Sequence, residues 1–332
     1  MNRTNSKTQW QAFLSLTKRH LLVFLKNVPT VIFTLMVPMA VFAVYVLFLR
    51  NIEIGQLQAQ LEEANVIVEK NSELWYHLSG IADTFMIAGV LSVSAITVSL
   101  NSNSIMVRDK ESGVAKDFIS SPISPSLITL SYLVFNCIIT FLTNFLVFII
   151  CIIFLAGYGA YMPGVGYFFA IIGVIALSSI SASLINFFIC SFIRSESVLS
   201  PLVAIVSAAI GFLIGAYLPA DMGPKYIEYT TAFFPGTYFT GLFRFCFLTN
   251  PMILLGKELS LVPNGAEFFE QMTGGTFSFN ISFFGHPVQP WMMVIVSLGF
   301  IVLFAFLNGF FATKNYMNFL KSKPKKAKKN QN

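Results

Sequence analysis

Charge is what this sequence has least of. Asp, Glu, Lys and Arg make up only 11% of its 332 residues while apolar residues make up 55%, against the ~25% charged residues usual in soluble domains. A water-soluble globular domain is thereby excluded. Five segments of 18 or more residues carry no charged side chain at all, the length of a membrane-spanning helix. Cysteine is scarce as well. Three of the four, Cys137, Cys151 and Cys190, lie inside apolar runs, and Cys246 has no evident partner. No CxxC occurs, so neither a disulfide framework nor a thiolate metal site is expected. The three histidines, His20, His77 and His286, are scattered over three regions. No HExxH, GxSxG or paired carboxylates occur at a membrane face. The phosphate-cradling GxxxxGK[ST] loop is missing too: the one Gly-Lys pair, Gly256-Lys257, runs on into Glu258. We therefore expect no catalytic residues, no metal and no cofactor on this chain. We expect no cleavable signal peptide before the first apolar run, which starts near Val28 and lacks a small-residue cleavage site.

What the sequence has instead is long apolar runs, 36 phenylalanines among them. They read as an all-α integral membrane protein with six transmembrane helices, at about 28–49, 81–105, 126–156, 165–193, 198–218 and 290–313. Asn27 and Pro29 start the first, and Pro38 kinks it. Residues 1–27 form a cytoplasmic segment. Within it Trp10, Phe13, Leu14, Leu21, Phe24 and Leu25 share one helical face and Gln11, Ser15, Arg19 and Lys26 the other, an amphipathic interfacial helix. The six-span domain covers 28–313, with outside segments 50–80 and 219–289, and 314–332 is a basic tail. In the first outside segment Ile54, Leu57, Leu61, Ala64 and Val68 form a short heptad seam, expected to pack on the protein's own outer loops.

Basic residues set the orientation. Five lie in the amino-terminal segment, three at 106–118, one at 194 and seven in the tail, against two in 50–80 and three in 219–289. The positive-inside rule puts both termini in the cytoplasm. The tail lysines then fix topology and meet anionic lipid rather than nucleic acid. One apolar stretch, Thr237–Leu255, competes as a seventh span. Arg244 at its centre costs ~2.5–3.5 kcal/mol at mid-bilayer, and Pro235, Gly236 and Pro251 bracket it. We expect a re-entrant or interfacial hairpin before the last span.

Ionisable residues are nearly missing from the spans. Asp83 is the one candidate, near the outer end of the second span where water can reach it. Neutral polar residues share helical faces instead: Asn136, Thr140 and Asn144 on the third span, Ser179, Ser183 and Asn186 on the fourth. They serve either interhelical packing or a weakly polar substrate path. No internal repeat is present, which speaks against inverted-repeat secondary transporters.

The loop 106–125 mixes charges with a helix-length stretch, Met-Val-Arg-Asp-Lys-Glu-Ser-Gly, and then Ser-Pro-Ile-Ser-Pro. This order between the second and third spans resembles the permease subunits of type-2 ABC exporters. The amphipathic helix with Lys18-Arg19, the six spans and the Phe-Pro-Gly-Thr-Tyr-Phe … Arg244 segment agree with that resemblance. It implies a permease encoded apart from its ATP-hydrolysing partner, working with a second copy or homologue and exporting a lipophilic or lipid-linked compound across a bacterial cytoplasmic membrane. It implies ATP on the partner only. The loop after span two would be a coupling helix, its role falling to Arg108, Asp109, Lys110, Glu111 and Gly113, with Arg194–Glu196 as second contact. The long outside segments depart from the compact polysaccharide exporters. The alternatives are a stand-alone channel or secondary transporter, which needs intramembrane charges or a selectivity ring, and a scaffold or enzyme of envelope-lipid metabolism, which needs a catalytic cluster.

Overall fold

The computed structural model describes residues 6–63, 66, 68–70, 72–158, 162–217, 229–261, 265–274, 281–283, 286–312 and 314. The Lys-rich stretch 321–329 and Ala64 of the heptad seam lie outside them.

Helix α1 (Ser6–Lys26) is followed by α2 (Val28–Val44), which starts where the Asn27 side chain accepts a hydrogen bond from the Thr30 N–H and Pro29 occupies the first turn. The chain then widens into a π-helical stretch, Tyr45–Leu49, and continues as α3 (Arg50–Glu63). The first span is thus longer than 28–49. Next come α4 (Glu73–Ser102), α5 (Ser104–Ser112), α6 (Val114–Ser120), α7 (Pro125–Gly157), α8 (Val165–Ser191) and α9 (Glu196–Leu213). They are followed by α10 (Pro235–Leu259), α11 (Gly265–Gly274), an antiparallel ribbon of β1 (Ile281–Phe283) and β2 (His286–Val288), and α12 (Pro290–Leu307). The ribbon is the one non-helical element among the described residues.

Helix α4 is the axis of the bundle, buried along almost its whole length against α2, α7, α8, α9 and α10. Small residues make this possible, because without a hydrophobic drive in lipid, close backbone approach supplies the attraction. Gly89 is the extreme case: a Cβ there would stand 2.5 Å from the Ala216 carbonyl oxygen. Along and just after α3, Ile54, Leu57, Leu61 and Val68 are buried with Leu78 and Ile81 of α4 and Leu248, Met252 and Leu255 of α10. The heptad seam therefore packs on its own protein.

Among the described residues, seven helices have the length and composition of a span, one more than the sequence reading. The seventh is α10. Thr237–Leu255 is not a hairpin turning between its prolines but part of one helix that continues past buried Pro251. Its direction is informative. Leu199 of α9 clusters with Leu100 and Ile105, while Ile210 and Ala216 cluster with Val93. Gly236 of α10 abuts Ile96, Arg244 lies over Phe85, and Leu255 reaches Leu78. Both helices therefore run antiparallel to α4 and parallel to each other. Successive complete crossings alternate in direction, so α10 does not simply continue the up-and-down order. It starts beside Ile96, six residues or about 9 Å from the Ser102 end of α4, and leaves at the opposite end.

Helix α12 returns, with Asn308 Nδ2 donating to the Leu184 carbonyl at 2.8 Å near the end of α8. Both α1 and the end of α12 therefore lie at the same end of the bundle as α5.

Candidate coupling site

The α4 helix stops at Asn103, whose side chain folds back to donate to the Ser99 carbonyl at 3.0 Å. The chain restarts as α5 and stops again at Gly113, with φ +88°. A Cβ at Gly113 would meet nothing within 4 Å, so glycine is needed for the left-handed dihedral and not for space. Beyond it α6 carries exposed Lys116, Asp117 and Ser120.

The four charges of α5 divide into two inward and two lateral contacts. Lys110 is 2% exposed and donates to the carbonyls of Cys190 (3.1 Å), Ser191 (3.1 Å) and Ile193 (3.3 Å). These lie where α8 ends and its last carbonyls have no helical partner, so an ammonium there caps the helix and meets the negative end of its dipole. Asp109, also buried, receives both guanidinium NH2 groups of Arg19 (2.6 and 3.1 Å) and the Tyr132 hydroxyl (2.6 Å). Arg108 pairs with Glu196, and Glu111 accepts the Glu196 N–H at 2.9 Å at the start of α9. Exposed Arg194 sits in the same turn. One short helix thereby grips α1, α7, the end of α8 and the start of α9. A solvated connecting loop would not bury two charged side chains in this way.

Sequence reasoning missed Arg19, His20 and Tyr132 as members of this site. Their spacing along the chain carries no signal, because the pairs span 90 and 23 positions. His20 is fully buried and stacks on Tyr132 with ring centroids 3.9 Å apart. Its Nδ1 faces Arg19, which can only donate, so Nδ1 accepts and Nε2 carries the proton toward Ser131 Oγ at 3.2 Å. Burial and the neighbouring Arg19 charge push His20 down to about 3, so it stays neutral. The hydrogen bond to Asp109 holds Arg19 above its ordinary value against the cost of burial. Helix α1 buries Phe13, Leu16 and Phe24 against this region and leaves Trp10, Leu14 and Leu25 exposed. Its apolar residues thus serve two surfaces, the protein and the surroundings.

The neutral polar residues proposed for a substrate path are all buried. Asn136 Nδ2 donates to the Ser99 carbonyl at 2.8 Å, while its Oδ1 accepts from Ser99 and Thr140. Asn186 Nδ2 donates to the Ile96 carbonyl at 2.9 Å. These two stitch α7 and α8 to α4. Asn144 and Ser179 meet no protein partner. Of the six, Asn186 alone lines the cavity of about 240 Å3 between α4, α8, α9 and the start of α10.

Asp83 is not reached by water. It is fully buried, with Arg50 donating from Nε (2.8 Å) and NH2 (2.9 Å) and Tyr45 from its hydroxyl (2.8 Å). The π-helical widening at Tyr45–Leu49 places both donors toward α4. Arg244 is likewise buried, over the Phe85 ring at 4.0 Å and donating to the Gly215 carbonyl at 2.5 Å. That partner set offsets the insertion cost that argued against a buried position in the sequence.

The sequence profile of the family described as "ABC-2 type transporter" matches residues 11–248. A comparison with curated proteins finds no match for the chain.

Proposed function

The chain belongs to the ABC-2 type transporter family, and from that premise we propose that it is the permease subunit of an ATP-driven exporter, moving a lipophilic or lipid-linked compound across a bacterial cytoplasmic membrane. A separate ATPase subunit docks on the α5–α6 end, and a second permease copy or homologue completes the path. ATP is held by that partner. Both termini then face the cytoplasm, in agreement with the excess of Lys and Arg at that end.

The observation that carries this reading is the grip of α5 on four other helices. A displacement applied to α6 from below passes through Lys110 to α8, through Asp109 to α1 and α7, and through Arg108 and Glu111 to α9. In this reading Arg108, Asp109, Lys110, Glu111 and Glu196 position the lever, and the exposed side chains of α6 and Arg194 meet the partner. Gly113 lets the two short helices meet at an angle. Ion-coupled transport would need a titrating group on the path. The fully buried carboxylate, Asp83, is instead held by Arg50, which weighs against that reading.

The test is coexpression with candidate ABC ATPase subunits of the source organism, with Asp117→Cys as cross-linking probe. Copurification and a cross-link to the ATPase that responds to nucleotide are expected. A permease that purifies alone and transports without ATP would overturn the proposal.

A further inference from the structure

Among the described residues, the wall of the cavity of about 240 Å3 has no ionisable side chain and is built of aliphatic residues such as Ile96, Ile205 and Ala209, with a few serines and Asn186. Two features give it a polar pole. Helix α10, 25 residues long, begins in the wall at Pro235 and Gly236, and Phe234 before it provides no side-chain cap. The positive end of its dipole therefore points at the cavity in a low-dielectric setting, where an anion is favoured. On the facing helix α8, Ser181 lines the same cavity at 2% exposure, and its hydroxyl has no hydrogen-bond partner in the protein. An unpaired buried hydroxyl is costly, and a ligand head group between α8 and α10 would satisfy it. The outer wall is α9, of whose surface little is buried against the rest of the protein. It packs on α4 through Leu199 and Ile210, is met at its start by Arg108 and Glu111, and is followed by Gly215, whose carbonyl accepts from Arg244.

We propose that this cavity binds an amphipathic anion with a single alkyl tail: the tail lies against Ile205 and Ala209, and the carboxylate or phosphate head sits at Gly236 and Ser181. The head then lies about 9 Å inside the α5 end of α4, within reach of the leaflet on that side. The inference rests on the permease reading and names the substrate class for it.

The experiment uses the full chain with its ATPase in phosphatidylcholine nanodiscs. Diazirine-bearing dodecanoic acid, dodecyl phosphate, dodecanol and dodecylamine are photolysed at equal concentration, and labelled peptides are mapped. Either anionic probe should label α8 and α9 about tenfold more than dodecylamine, and the acid and phosphate arms tell which head is preferred. Ala209→Phe should abolish that labelling. Ser181→Ala, which removes one hydroxyl and leaves packing intact, should cut the anion-to-alcohol ratio about threefold to tenfold, the worth of one hydrogen bond. Equal labelling by the amine, an unchanged ratio in Ser181→Ala, or labelling confined to other helices would overturn the inference. Nucleotide-dependent ATPase association is read on the same sample. Its loss refutes the permease reading, whereas its persistence without selective labelling refutes the anion site alone.

Discussion

Consider Lys110→Met, which keeps the length and apolar stem of the side chain and deletes the ammonium. Three carbonyls at the end of α8, of Cys190, Ser191 and Ile193, then lose a donor at 3.1–3.3 Å. Each charge-assisted bond is worth ~1.5–3 kcal/mol, but the three cannot be summed, because burying the ammonium at 2% exposure cost several kcal/mol in folding. Removing one partner from a buried charged arrangement typically costs ~3–5 kcal/mol. Met avoids a stranded charge and leaves only carbonyls unpaired, so the low end, ~3 kcal/mol, is expected. The assay is reversible unfolding in mixed micelles, with coupled transport measured at matched protein levels. Lys110→Arg keeps the charge and should recover part of both. A loss below ~0.5 kcal/mol, the usual effect of a surface substitution, would refute the assignment of Lys110 as the bolt between α5 and α8.

Gly113→Ala should cost ~1 kcal/mol from the left-handed dihedral alone, and Gly113→Asn should cost less in the same unfolding assay, because no Cβ clash contributes. His20 is held at about 3 in the folded protein against 6.5 ordinarily, so the unfolded state binds more protons between those values. Stability is complete above about pH 6.5 and falls below it, by about 2 kcal/mol at pH 5. Hydrogen exchange of α1 should show this loss, and His20→Phe should flatten the pH dependence. A Cys placed at Lys325 should be inaccessible to impermeant reagents added outside intact cells. Labelling there would contradict a shared cytoplasmic location for both ends.

The spans were legible because apolar length is a local property. The predicted starts at Val28, Ser126 and Val165 fall within one residue of the helices found. The importance of the 106–118 segment was also legible, from its mixture of charges. Where those charges go was not. Lys110 lies in a run that reads as solvated, and only the fold brings the end of α8 over it. Asp83 read as wet because it lay, by count, just inside the outer end of the second span, whereas α4 runs on outward to Glu73. The π-helical extension that turns Arg50 inward leaves no mark in composition. Arg244 was weighed as a lone charge in lipid. Its carbonyl partners sit 28 and 29 positions earlier, beyond any helical periodicity.

The shared direction of α9 and α10 has a consequence for biogenesis. A helix that starts beside Ile96 rather than level with the Ser102 end of α4 is poorly suited to sideways release into lipid as an independent span during synthesis. Alone there, Arg244 would carry the ~2.5–3.5 kcal/mol insertion cost and have no carbonyls to meet. Helix α10 is therefore best fitted once α4 and α9 already stand in the bilayer, where the Gly215 and Ala216 carbonyls are in place to receive Arg244. The last steps of assembly are then folding against a finished protein wall rather than insertion.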